Sequence, residues 1–188
     1  WYEAGLRSLG PVWSRPNDFA HGVPFRFPSS PDTGPGLTTA GEKLVRRCNE
    51  IGIAVDLSHL NERGFWDVAR ITAAPLIASH SNPKAVADNP RNIDDDQIRA
   101  VAASGGVVCV TTWAPLIWNG APGMPTLADW LRCVDHAVNL VGIDHVGVST
   151  GSMGTMGAYP KHDRDPDALA GQHGRDRGVG QPRLRAHH

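Results

Sequence analysis

Two stretches decide the fold: Ile53-Ala54-Val55-Asp56-Leu57-Ser58-His59 and Pro75-Leu76-Ile77-Ala78-Ser79-His80. Each is a short β-rich apolar run that gives way to polar residues and a histidine. Between them Asn61 offers an N-cap for a helix carrying Phe65, Val68 and Ala69. A strand, a helix and a second strand within about 25 residues form a unit whose strands must run parallel.

The same alternation extends in both directions. Upstream, residues 6–13 read as a strand, followed by a Pro/Gly-rich excursion over 21–36. Thr39-Ala40-Gly41-Glu42 then reads as a capping box, opening a helix that buries Leu44, Val45, Cys48 and Ile51 and stops at Gly52. Downstream, the acidic first turn Asp94-Asp95-Asp96 starts a helix through Ile98, Val101 and Ala102, which Gly105-Gly106 ends. A strand over 107–111 follows. Thr126 then caps a helix with Leu127, Trp130, Leu131, Val134, Val138 and Val141 on one apolar face, and residues 145–149 make the last strand. The expectation is five parallel strands and four helices, either a doubly wound sheet or part of a (β/α)8 TIM-type barrel. No GxGxxG or GxxxxGK[ST] motif follows the first strand, which argues against a nucleotide-binding doubly wound domain.

Composition narrows the function classes. The 188 residues are 40% hydrophobic and 20% charged, enough apolar material for one packed domain. With 18 Lys+Arg against 19 Asp+Glu there is no global field for nucleic acid, and no basic patch stands out. Trp66, Trp113, Trp118 and Trp130 are not interleaved with basic residues and read as packing. Cys48, Cys109 and Cys133 show no CxxC spacing, so neither a disulfide framework nor a cysteine zinc site is expected. No transmembrane run and no signal peptide are visible, and a cytoplasmic home is the expectation. Beyond Pro160 large apolar residues nearly vanish. Residues 1–158 are therefore expected to form the domain and 159–188 a disordered tail.

Chemistry concentrates at strand ends. His59 and His80 stand just past consecutive strands, and the carboxyl ends of strands form the functional face of parallel sheets and barrels. Two imidazoles brought together there make half of a zinc site, although each could equally be a hydrogen-bonded loop histidine. His145 precedes a strand and reads as structural. His136 lies inside a helix and reads as solvent-facing.

VDLSH, IASHSN and NPRN, in this order and spacing, together with GLTTAGEKLVRRCNEIGIAVDLSH, resemble the core of the zinc-dependent renal or membrane dipeptidases of the amidohydrolase superfamily. The likeness runs from Trp1 to Ala158. It implies a (β/α)8 barrel with two zinc ions bridged by a carboxylate and a hydroxide, acting on dipeptides. His59 and His80 then match the two histidines of one zinc, and Arg91 the arginine that takes the substrate carboxylate. The alternative for Arg91 is a surface arginine paired with Asp94 to Asp96.

The resemblance also leaves positions unfilled. The family's His-x-Asp ligand pair and bridging glutamate belong to sequence ahead of Trp1. Its carbonyl-polarising histidine falls near Trp13-Ser14, with His21 close but out of register. Its late-strand aspartate falls on Gly151, and Asp163 is no obvious substitute. No catalytic residue is assigned on these grounds. The expectations are a zinc dipeptidase relative impaired in this chain or, alternatively, a non-catalytic homologue acting as a binding or scaffold protein. Open sheet edges imply self-association.

Overall fold

The computed structural model of the protein describes residues 1–25 and 29–150. The tail expected over 159–188, the boundary at 158, and the positions of Gly151 and Asp163 lie outside the described residues.

Among the described residues five parallel strands occur in chain order. They are β1 (Ser8–Leu9), β2 (Ala54–Val55), β3 (Ile77–Ala78), β4 (Val107–Thr111) and β5 (Val146–Ser149). β1 pairs with β2, and β3, β4 and β5 form a second ladder in that order. A single parallel bridge, Asp56 with Ile77, joins the two sheets, and the Leu57 N–H donates to the Ile77 carbonyl across it at 2.8 Å. Parallel strands laid side by side in sequence order, the first four each followed by helical chain, are arranged as consecutive units of a (β/α)8 barrel.

Among the described residues five helices connect them, one more than expected: α1 (Thr39–Ile51), α2 (Glu62–Ile71), α3 (Asp95–Ala103), α4 (Ala114–Ile117) and α5 (Leu127–Val141). α4 escapes a periodicity reading because it is a single turn, marked only by Pro115 near its start. The cap of α1 is Thr38, not Thr39: the Thr38 side chain accepts from the Gly41 N–H. Asn61, Asp94 and Thr126 cap α2, α3 and α5, the last two with full capping boxes. The strands at 6–13, 53–58 and 75–79 shrink to two residues each, and a short 3-10 turn (Ile143–His145) takes the start of the strand expected from 145.

The main core lies between α1, α2, α3 and the strands, with Val45, Phe65, Val68, Ile98, Val101 and Val108 almost fully buried. A smaller cluster of Val110, Cys133 and Ala137 seats α5 against β4. Close approach fixes Gly106 at the entrance to β4, because a Cβ there would lie 1.9 Å from the Leu76 carbonyl oxygen. His136 is half-buried rather than solvent-facing, and its Nε2 meets Asp95 at 2.7 Å, tying α5 to the start of α3. His145 Nδ1 meets the Gly106 carbonyl at 2.9 Å, at the amino end of β4.

Candidate metal and anion site

Both histidines emerge from turns at the carboxyl ends of β2 and β3. His59 has left-handed backbone, φ 76°, and among the described residues no other non-glycine residue has positive φ. That conformation turns its ring inward, where it is buried beside the rings of Trp13 and Phe25, with centroids 5.8 and 5.9 Å away. His80 extends from the neighbouring turn, and the two Nε2 atoms face each other at 2.7 Å.

Serines occupy the opposite nitrogens. His59 Nδ1 lies 2.8 Å from Ser14 Oγ, and His80 Nδ1 lies 2.6 Å from Ser79 Oγ. Asp56 anchors the second of these. Its Oδ1 accepts the N–H groups of Ser58 and Ser79, each at 3.0 Å, and its Oδ2 accepts the Ser79 hydroxyl. Ser58 Oγ in turn accepts the His80 N–H at 3.0 Å.

Burial disfavours charge on both rings. The His59 imidazole is pushed down to about 2, first by burial, then by the Arg91 guanidinium and by His80. His80 is also held below the ordinary imidazole range by burial and by Arg91, with Asp56 opposing. Two neutral rings with their δ nitrogens engaged and their ε nitrogens converging are suited to one metal ion.

The donor set is half a site. Two nitrogens on one tetrahedral zinc, each bound at about 2.0–2.1 Å, lie roughly 3.3 Å apart, so the rings would need to part only slightly. Among the described residues, however, no group of three or more His, Cys, Asp or Glu side chains is gathered closely enough to hold a metal.

Arg91 lies deep in the same wall, 3% exposed, and does not pair with Asp94 to Asp96. Its loop is fixed by asparagines. Asn89 Oδ1 accepts the Arg91 N–H, Asn92 Nδ2 donates to the carbonyls of Ala87 and Leu116, and Asn82 Nδ2 donates to those of Thr111 and Leu116. The unexpected helix α4 therefore serves the site, since Leu116 presents the carbonyl on which two of these asparagines close. Arg91 Nη2 reaches the His80 carbonyl only at 3.5 Å, and Nε is buried without a partner among the described residues. Desolvation lowers the guanidinium to about 10, which leaves it charged at neutral pH. A buried cation with unspent donors is suited to a carboxylate.

The structure thus brings His59, His80 and Arg91 together. The Trp13-Ser14 position also reaches the site, with Ser14 as a partner of His59 rather than a carbonyl-polarising group. His21 stands apart: its carbonyl accepts the Asn61 N–H and its Nδ1 is buried without a partner among the described residues. From sequence, Ser14 marks only the place of a missing histidine, the asparagines are only letters of IASHSN and NPRN, and Asp56 and Ser79 have no assigned role. Ser14 is 45 residues from its partner, and no local pattern announces that contact.

Comparison with known proteins places these features in context. The family model described as membrane dipeptidase (peptidase family M19) matches residues 1–164. A curated protein encoded in the region 5′ of pqqA in Klebsiella pneumoniae is 45% identical over 152 residues, covering 80% of this chain and 56% of that protein. A dipeptidase of Schizosaccharomyces pombe is 29% identical over 150 residues, covering 80% of this chain and 36% of that protein. Among solved structures, a metallopeptidase from Rhodobacter sphaeroides, liganded with a phosphinate mimic of the dipeptide L-Ala-D-Ala, superposes with a TM-score of 0.77 at 44% identity. That match covers 96% of this chain and 52% of the solved one. The chain spans about half the length of the relatives it matches.

Proposed function

The chain belongs to the membrane dipeptidase family, peptidase family M19, and from that premise we propose that the protein is built for zinc-dependent hydrolysis of dipeptides, with His59 and His80 as ligands of one zinc and Arg91 as the anchor of the substrate's carboxylate. The observation that carries this reading is the convergence of the two Nε2 atoms at 2.7 Å past the carboxyl ends of β2 and β3, beside a buried guanidinium whose Nε has no partner among the described residues. The phosphinate mimic of L-Ala-D-Ala bound by the Rhodobacter relative supports small dipeptides as the substrate class.

Zinc, when bound, supplies a water that is nucleophilic at neutral pH and a Lewis acid for the scissile carbonyl. The chain's own residues orient and exclude. Arg91 offers paired donors to the free carboxylate, which fixes the dipeptide's direction in the site. Trp13 and Phe25 wall one side of His59, and Trp113 packs edge-on to Phe25 at 5.1 Å; together they limit water. A cytoplasmic location belongs to the same proposal, supported by three free cysteines, two of them buried.

For these 188 residues taken alone, the reading is impaired hydrolysis. Two imidazoles are fewer than the three or four protein ligands of usual zinc sites, and Gly151 has no side chain to carry a proton where the family resemblance implies an aspartate. The test is zinc titration of the purified chain and of its H59A/H80A variant, with L-Ala-D-Ala hydrolysis on the same samples. Weak zinc binding by the chain, weaker still in the variant, and no turnover in either is the expected result. Equal zinc in both would overturn the metal role of the pair, and turnover by the chain alone would overturn the impairment. In a version extended to the relatives' length, Gly151→Asp is expected to raise turnover.

A further inference from the structure

Three aromatic rings from three separate loops meet beside His59. Phe25 is the hub: its ring centroid lies 5.3 Å from that of Trp13, 5.9 Å from His59 and 5.1 Å from Trp113, the last two edge-on. Each ring stands on a fixed backbone. The Trp13 carbonyl accepts the Arg15 N–H at 2.8 Å, and a Cβ at Gly22 would lie 1.7 Å from its oxygen, so the two loops pack directly on each other. Beside Gly22, the Val23 N–H donates to the His59 carbonyl at 2.9 Å, which seats the segment carrying Phe25 against the histidine. Trp113 follows β4, and its N–H donates to Thr111 Oγ1 at 3.3 Å.

Trp13 nevertheless keeps 44% of its surface exposed. A fixed indole open to solvent past the carboxyl ends of the strands is apolar surface prepared for a ligand. Its position decides which part of a ligand arrives there. The rings meet the histidine pair through His59, with Trp13 5.8 Å away, whereas Arg91 meets it through the His80 carbonyl. A dipeptide with its carboxylate on Arg91 therefore extends from the His80 end towards the His59 end, and its amino-terminal residue reaches the rings. Charge decides what that residue carries. The Arg15 guanidinium stands 5.9 Å over the Trp13 ring, and the Arg91 charge is felt at His59, so a cationic side chain would face two cations. An anionic one would meet the negative faces of the rings. An uncharged apolar side chain meets neither penalty.

We propose that Trp13, Phe25 and Trp113 form a specificity wall that selects dipeptides with an uncharged apolar side chain on the amino-terminal residue, Trp13 being the face that side chain covers. The direction of the peptide rests on the dipeptidase reading. The wall itself needs no metal, because the rings and Arg91 are held by protein contacts alone. The test is saturation-transfer NMR on the full 188-residue chain in chelator, irradiating the protein's aromatic protons and reading transfer to dipeptides that contain no ring. L-Leu-Gly is expected to bind roughly 10-fold more tightly than Gly-Gly or L-Lys-Gly, with the leucine methyls receiving the most saturation. Gly-L-Leu, with its side chain on the other residue, is expected to bind like Gly-Gly. Trp13→Ala, a change at an exposed ring, is expected to bring L-Leu-Gly to within about threefold of Gly-Gly.

Equal binding of L-Leu-Gly and Gly-Gly, a preference for L-Lys-Gly, or an advantage that appears with Gly-L-Leu instead would overturn the proposal. So would an unchanged preference in a folded Trp13→Ala chain; should that variant lose its fold, the wild-type ligand series decides. L-Leu-glycinamide, which keeps the side chain and lacks the carboxylate, separates the wall from the reading beneath it. If the amide binds as well as L-Leu-Gly and saturates its methyls only in the wild type, the wall stands and the carboxylate anchor falls. If all the dipeptides bind equally and weaken as amides, the anchor stands and the wall falls. No transfer to any of these peptides overturns both.

Discussion

His59 concentrates several physical demands in one residue. Its imidazole titrates near 6.5 in an unfolded chain but near 2 in the fold, so between those values the unfolded state binds a proton that the folded state refuses. Stability of the metal-free chain is therefore expected to fall as pH drops from about 6.5, at up to about 1.4 kcal/mol per pH unit for this group. Urea midpoints measured from pH 7 to 4.5 should show a shallower decline in His59→Gln; parallel curves would refute the assignment. The backbone makes a second demand. A φ of 76° penalises any Cβ-bearing residue, so His59→Gly is expected to be about 1 kcal/mol more stable than His59→Ala, read as the difference in urea unfolding free energy. At this scale the sequence was only partly legible. The two histidines and Arg91 stand in local motifs, whereas Ser14 reaches His59 across 45 residues, and Asp56 and Ser79 look like ordinary strand-end residues until the turns are folded.

Elements were legible where their ends carry chemistry. Capping side chains, charged first turns and terminal glycines fixed four helices closely, because those signals act within one turn. The strands were over-read: an apolar β-branched run marks burial, but pairing needs a neighbour in register, and only β4 keeps its full expected length. α4 fell below the length at which periodicity can speak. The cap of α1 distinguishes the two adjacent threonines by experiment. Thr38→Ala removes the acceptor for the Gly41 N–H and is expected to lose about 1 kcal/mol, whereas Thr39→Ala should be close to neutral; equal losses in thermal unfolding would refute the assignment. Gly106→Ala would drive a Cβ into the Leu76 carbonyl at the start of β4, and a destabilisation of about 1–3 kcal/mol is expected from chemical denaturation.

At the scale of the whole molecule, the described part of β5 pairs on one side only, with β4, and exposes Val148 at 61%; Leu127 on α5 is 69% exposed and Ile143 67%. An apolar parallel edge of this kind pairs readily with another strand, so the purified chain is expected to associate as concentration rises, and Val148→Lys should reduce that association in sedimentation velocity. A monomer at all concentrations would count against it. The order of strands and helices left a doubly wound sheet and a partial barrel both open and only the family motifs implied the barrel; neither showed that, among the described residues, one bridge joins the two sheets between β2 and β3. Across that line the sheet is stitched mainly by side chains: Asp56 bonds Ser79, and Ser58 holds the His80 N–H. Backbone pairing is thinnest along this line although the apolar core is continuous across it, and His59 and His80 stand on its two sides. A ligand gripped by both rings would act as a rivet, so that opening of the two-stranded and three-stranded parts, separable in amide hydrogen exchange of the metal-free chain, becomes a single cooperative event once the rivet is in place.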